Sequence, residues 1–454
     1  MGYSLPTFDL KNPQKIYNDI IQKPILLSYF YLYLFKNFQN IDFSNFGKNI
    51  QILSKKINSL TPKINFDMYN CLSCIFGAFL GDSLGSHCEF SESSPFNHYS
   101  IYTDDIFKNG QVTDDSEMAM SKAFAIMDMP DINNIDQNLL FYYYGIWIFS
   151  MPLDQGITTS SALQNFRIET MPIDGANLFS DKIRKSIAVQ NYKSKANGGL
   201  MRISTLIVWF YYKNKNIIRN VLNSNDPKIF LNLYLNLYKE VQKDFEITHP
   251  NKENIVFGAL LFFMTLCTMN KQGGNETIKK LFILLENDLF MKNGDENLLN
   301  NLVKNTLNEV NREQFNRLEY FKNITKNRGY YVHAFKLGIY YLSVIDKRIK
   351  SEDNIYMKVI EEICDYGGDT DTNAAIVGTV IGPMIGYSNF TKDKLFENLI
   401  LFFNSSRLIY TSSLIYFFVE YLDNNFNGKN YGNNNEIKFN TLKIILDMLT
   451  KNLN

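Results

Sequence analysis

The chain lacks an excess of charge of either sign: 46 lysines and arginines are matched by 46 aspartates and glutamates. That removes the electrostatic case for a nucleic-acid partner, which needs a basic face to neutralise phosphates. Cysteine is scarce and odd in number, five in 454 residues. Without paired spacing there is no disulfide framework to read, and a reducing, cytoplasmic location is expected. The one close pair, Cys71 and Cys74, sits in an apolar stretch with no second pair to complete a zinc site. It is expected to be two buried thiols. The longest apolar run, Ile255 to Met269, is too short to span a bilayer comfortably and suits a buried core helix, so no membrane partner is expected. No basic-then-apolar leader follows Met1, and Pro6 stands where a myristoylation signal needs Ser or Thr. Strand-like alternation of useful length is also missing. The expected fold class is therefore all-α.

What is present is acid at helix starts. Gly367-Gly368-Asp369-Thr370-Asp371-Thr372 leads into an apolar, helix-like segment. Either aspartate alone is explained by capping, because free N–H groups and the dipole favour negative charge there. Two acids with Thr372 exceed what a cap needs, and closely spaced hard oxygens suit Mg²⁺, Mn²⁺ or Ca²⁺. Thr113-Asp114-Asp115-Ser116-Glu117 repeats the pattern far away in the chain. If the two starts meet, four aspartates repel one another unless cations neutralise them, and a binuclear metal site is the economical solution.

Glycine recurs every fourth residue at Gly77, Gly81 and Gly85, and again at Gly378, Gly382 and Gly386. Glycine weakens a helix, so each stripe implies a close neighbour, and the two helices are expected to pack together or cross a common partner. Asn197-Gly198-Gly199 is either an ordinary turn or a loop whose amides approach a ligand. The chain divides into an N-terminal helical extension (1–65), a main domain (66–422), an Asn-rich linker (423–437) and an amphipathic C-terminal helix (438–454).

Taken in order, six segments resemble the ADP-ribosylglycohydrolase family, which includes ADP-ribosylarginine hydrolases and dinitrogenase-reductase-activating glycohydrolases. They are Gly77-Ala78-Phe79-Leu80-Gly81-Asp82-Ser83-Leu84-Gly85, Val112-Thr113-Asp114-Asp115-Ser116-Glu117-Met118-Ala119, and Asn197-Gly198-Gly199-Leu200-Met201-Arg202. The others are Thr248-His249-Pro250, Gly329-Tyr330-Tyr331-Val332, and Gly367 to Ala375. The resemblance covers about 67 to 390. It implies an orthogonal multi-helix bundle around two divalent cations, Mg²⁺ or Mn²⁺. Thr113, Asp114, Asp115, Asp369, Asp371 and Thr372 match the family's metal ligands. Asp114, Asp115, Asp369 and Glu89 would carry catalysis, with Glu89 as gate, base or acid. Asn197, Gly198 and Gly199 match a ligand-cradling loop, and Tyr330 and Tyr331 an aromatic packed on the ligand. The activity implied is hydrolysis of the bond between ADP-ribose and a modified protein or peptide, most simply an arginine, by a monomer. Serine-linked ADP-ribose is the alternative within the family, and a non-catalytic, crystallin-like relative is the alternative of another class.

Overall fold

The computed structural model describes residues 65–89, 110–164, 166, 178–224, 226–286, 296–310, 316–321, 324–390 and 411–427, with Lys15. Apart from Lys15 and Asn65, the expected N-terminal extension lies outside the described residues, as do the C-terminal helix and the linker from 428 onward. Helices follow one another as α1 (Phe66–Gly85), α2 (Asp114–Asp128), α3 (Gln137–Phe149), α4 (Ile157–Leu163), α5 (Asp181–Asn191) and α6 (Ser204–Leu222). Then come α7 (Pro227–Phe245), α8 (Lys252–Met269), α9 (Gly274–Leu285), α10 (Glu296–Val310) and α11 (Arg317–Phe321). The last five are α12 (Tyr331–Ser351), α13 (Ile355–Tyr366), α14 (Thr370–Ile385), α15 (Tyr387–Phe390) and α16 (Thr411–Phe426). Among the described residues no strand forms, and the one isolated bridge joins Ala196 to Tyr330. The all-α expectation holds.

Local chemistry sets many of the starts. Asn65 accepts from the Met68 N–H at 2.9 Å and begins α1. Asp136 does the same for α3, Asp226 for α7 with Pro227 behind it, and Asn251 for α8. Each cap satisfies a donor that the first helical turn leaves open. Asn65 also donates to both carboxylate oxygens of Asp423, at 3.2 Å each, which ties the first described helix to the last. Helix α8, the apolar run singled out above, is buried from Asn254 to Met269. It is a core helix.

The central feature is the pairing of α1 with α14. A methyl on Gly85 would lie 2.5 Å from the Thr370 carbonyl oxygen, and methyls on Gly77 and Gly81 would strike the main chain at Gly378 and Ala374. Gly382 is as close to the Ser73 carbonyl. As residue numbers rise by four along α1 they fall by four along α14, so the helices run antiparallel with main chain against main chain. The two glycine stripes seat each other, as expected, with one difference. Gly386 is no part of the stripe: it ends α14 at φ +86° and lies against Tyr69 instead. Left-handed backbone of this kind suits a residue without Cβ.

Candidate metal and substrate site

The C-terminal end of α1 is where the acids meet. One turn before Gly85, Asp82 is fully buried and reaches across to the start of α2. It accepts from the Thr113 N–H at 3.0 Å, the Thr113 hydroxyl at 2.8 Å, the Ser116 N–H at 3.1 Å and the Ser116 hydroxyl at 2.5 Å. Thr113 is the N-cap residue by position, yet its side chain caps nothing. Asp82 is the cap, supplied by another helix. Gly85 meanwhile sits against Thr370, whose hydroxyl donates to the Gly85 carbonyl at 2.7 Å. One helix end thus places both acidic starts, Asp114–Asp115 on α2 and Asp369–Asp371 on α14.

The two starts touch. Thr372 Oγ1 donates to Asp115 Oδ2 at 3.2 Å, and Thr113 Oγ1 lies 3.4 Å from the same oxygen. Asp114 Oδ2 accepts from the Gly156 N–H at 3.3 Å. Gly367 and Gly368, at φ +70° and +82°, make the turn that delivers Asp369 to the cluster. All six residues expected to ligate metal are buried. Glu89 follows the short 3₁₀ turn Ser86–Cys88 that ends α1. Its carboxylate, with those of Asp154 and Asp371, forms a triad whose ligand oxygens all lie within 4.8 Å of one another.

Such crowding is unfavourable for bare carboxylates. Burial, then the neighbouring acids, hold Asp114, Asp115 and Asp371 well above the usual carboxylate range. Burial and then Asp369, Asp154 and Asp114 push Glu89 up to about 9. Burial raises Asp82 to about 6 in spite of its four hydrogen bonds. The donor set also leaves something unmet: Asp115 Oδ1 is buried with no hydrogen-bond partner. A buried orphan oxygen within a ring of hard ligands is what a divalent cation satisfies. The residues present fit a metal.

Around the acids lie the expected substrate residues. The segment 195–197 pairs with 329–331: the Asn197 N–H donates to Gly329 O at 2.8 Å and the Tyr331 N–H to Lys195 O at 3.1 Å. Asn197 Nδ2 then donates to Asp369 Oδ2 at 2.8 Å, which couples the Asn-Gly-Gly turn directly to the cluster. The two glycines themselves make room for the core. A methyl on Gly198 would meet the His249 ring at 2.8 Å, and one on Gly199 the Phe245 ring at 2.8 Å. Of the two tyrosines, Tyr330 is half-buried beside Gly329. Tyr331 has no exposed surface, packs on Phe257 and donates its hydroxyl to Glu253. Tyr331 belongs to the core, whereas Tyr330 keeps part of its surface exposed.

Two residues of the site escaped the sequence reading. Asp82 carried a signal, a lone carboxylate inside an apolar, glycine-striped helix. Asp154 carried less, standing two residues before the Gly156 cap of α4.

Comparison with known proteins gives the following. Residues 68–399 match the family profile described as ADP-ribosylglycohydrolase. A putative ADP-ribosyl glycohydrolase of Acanthamoeba polyphaga mimivirus is 27% identical over 328 residues, which is 69% of this chain and 86% of that protein. Among solved structures, one described as an ADP-ribosylglycohydrolase-related protein complex is 14% identical, with a TM-score of 0.43 over 78% of this chain and 99% of the other.

Proposed function

Because the chain belongs to the ADP-ribosylglycohydrolase family, we propose that it removes ADP-ribose from arginine side chains of modified proteins, using two Mg²⁺ or Mn²⁺ ions. The observation that carries this reading is the convergence of two acidic helix starts on one buried cluster with an orphan oxygen at Asp115. Thr113, Asp114, Asp115, Asp369, Asp371 and Thr372 would hold the ions. When bound, they supply charge to orient the ribose hydroxyls and to lower the pKa of a coordinated water.

The residues of the chain do the rest. Asp82 and Gly85 fix the ligand-bearing helix ends. Asn197 steadies Asp369 through its amide. A carboxylate of the cluster accepts the proton of the attacking water as the bond at C1″ of the ribose breaks, and Glu89, on a turn rather than in a helix, is suited to that exchange. The departing guanidine takes up a proton and leaves as a cation. Half-exposed Asp154, within the Glu89 and Asp371 triad, favours a cationic leaving group over a neutral serine.

The test is mass spectrometry of ADP-ribosyl-arginine and ADP-ribosyl-serine peptides before and after treatment with enzyme and Mg²⁺. Loss of the arginine-linked mark at the faster rate is expected. Faster loss from serine overturns the acceptor assignment, and loss from neither overturns the enzymatic reading.

A further inference from the structure

Behind the Asn197–Gly199 turn lies a group of buried charges with no part in the chemistry above. Lys122 of α2 and Asp244 of α7 pair at 2.6 Å, and both side chains are fully buried. Those two charges balance. Arg202, equally buried, brings a second cation to the same carboxylate at 3.5 Å. A surplus charge in a dry interior lowers stability unless its donors are put to use.

The use is visible in its hydrogen bonds. Arg202 Nη1 donates to the Gly198 carbonyl at 3.3 Å, and Nη2 donates to Thr248 Oγ1 at 2.8 Å and to the Asp244 carbonyl at 3.4 Å. The guanidinium lies over the Tyr144 ring, 4.6 Å from its centre, and the Arg202 carbonyl accepts from Lys122 Nζ at 2.9 Å. The turn is therefore held from both sides of residue 202. The peptide joining Gly198 to Gly199 is trans, so its N–H points opposite to its carbonyl. Drawing that carbonyl toward Arg202 turns the Gly199 N–H away from the guanidinium. The Gly198 N–H, in the first turn of this short 3₁₀ segment, donates to no main-chain or side-chain acceptor outside that segment among the described residues.

We propose that Arg202 is a positioning residue. It holds the Asn197–Gly199 turn so that the Asn197 amide stays on Asp369 and the Gly198 N–H is set for the anionic diphosphate of the ligand, a role that rests on the ADP-ribose reading above. The surplus positive charge behind the turn acts in the same direction, since it favours an anion in front.

Arg202→Met removes the fork and leaves Lys122 and Asp244 as a balanced pair. In the full-length protein with Mg²⁺, calorimetry should show ADP-ribose binding weakened roughly ten- to hundredfold, the scale of a mispositioned contact. KM should rise more than kcat falls. Hydrogen exchange of a peptide spanning 195–203 should accelerate while the rest of α6 keeps its protection. Arg202→Lys, which keeps the charge without the fork, should fall between. Unchanged affinity, or a lowered melting temperature with exchange at the turn unaltered, overturns the proposal. Should Arg202→Met fail to fold, Thr248→Val removes the shortest of the Nη2 hydrogen bonds and leaves the charges; unaltered exchange at 195–203 in that variant overturns it too. If the wild-type protein binds no ADP-ribose, the functional reading fails, and the exchange comparison still decides whether Arg202 holds the turn.

Discussion

Gly85→Ala tests whether α1 sets the site or only the fold. The added methyl would lie 2.5 Å from the Thr370 carbonyl oxygen, 2.6 Å from Asp371 Cα and 2.7 Å from Asp371 N. All three are main-chain atoms, so no side chain can swing aside. To restore an ordinary contact of 3.4 Å or more, the start of α14 must retreat by roughly 0.9 Å. Overpacking of this kind destabilises by about 1–3 kcal/mol. The displacement falls on Asp371 itself, and a shift near 1 Å at a reacting centre lowers rates by about a hundredfold. Thermal melts, Mg²⁺ calorimetry and turnover on an ADP-ribosylated peptide read the three effects separately. Gly77→Ala meets main chain in the same way, two turns farther from the acids. It should lower the melting temperature similarly but weaken Mg²⁺ binding much less. Gly338→Ala, whose methyl meets nothing within 4 Å, should be neutral or stabilise by up to about 1 kcal/mol through helix propensity. Wild-type Mg²⁺ affinity and turnover in Gly85→Ala would refute the reasoning. Equal losses in Gly85→Ala and Gly77→Ala would show general destabilisation instead of a register set at the site.

Asp371→Asn should lose Mg²⁺ binding and turnover with an unchanged helical circular dichroism spectrum; full activity in that variant sinks the metal reading. Tyr331→Phe should lower stability by about 1.5–3 kcal/mol, the range for a hydrogen bond to a charged group, with ADP-ribose affinity intact. Tyr330→Ala should do the reverse, and a swap of these two results would return Tyr331 to the ligand. Burial, and then the Arg202 guanidinium, hold the His249 ring neutral down to about 3 against an ordinary 6.5. The unfolded chain binds that proton first, so His249 should contribute a loss of stability as pH falls from 6.5 toward 3. Urea titrations across that range should show His249→Asn with a shallower pH dependence than wild type; identical slopes would mean the ring is protonated in the folded state.

Helix type, the two glycine stripes and the two acidic starts were legible because each is a local pattern at helical spacing; the antiparallel direction of the glycine pair was not. Asp82 was harder to read. Its partners Thr113 and Ser116 lie more than thirty residues away, and no local rule says that one helix will cap another. Asp154 was hidden for the same reason, since only the folded chain brings it beside Glu89 and Asp371. The tyrosine pair shows the limit most plainly. Adjacent residues at a helix start point in different directions, and Tyr331 is drawn inward by Glu253 and Phe257, both more than seventy residues away in sequence. The glycines of the turn were legible as glycines, but their neighbours His249 and Phe245 were not.

The tie between Asn65 and Asp423 decides where anything joined to this domain must stand. Both ends of the described helical body leave from one spot, at the N-terminal end of α1, while the acids gather at its other end. Twenty helical residues separate Phe66 from Gly85, a span of about 30 Å at 1.5 Å per residue. A fluorescent label, an affinity handle or a fused protein placed at residue 65 or 427 therefore starts a full helix length from the acidic cluster. A linker must cover that distance before its cargo can reach the acids.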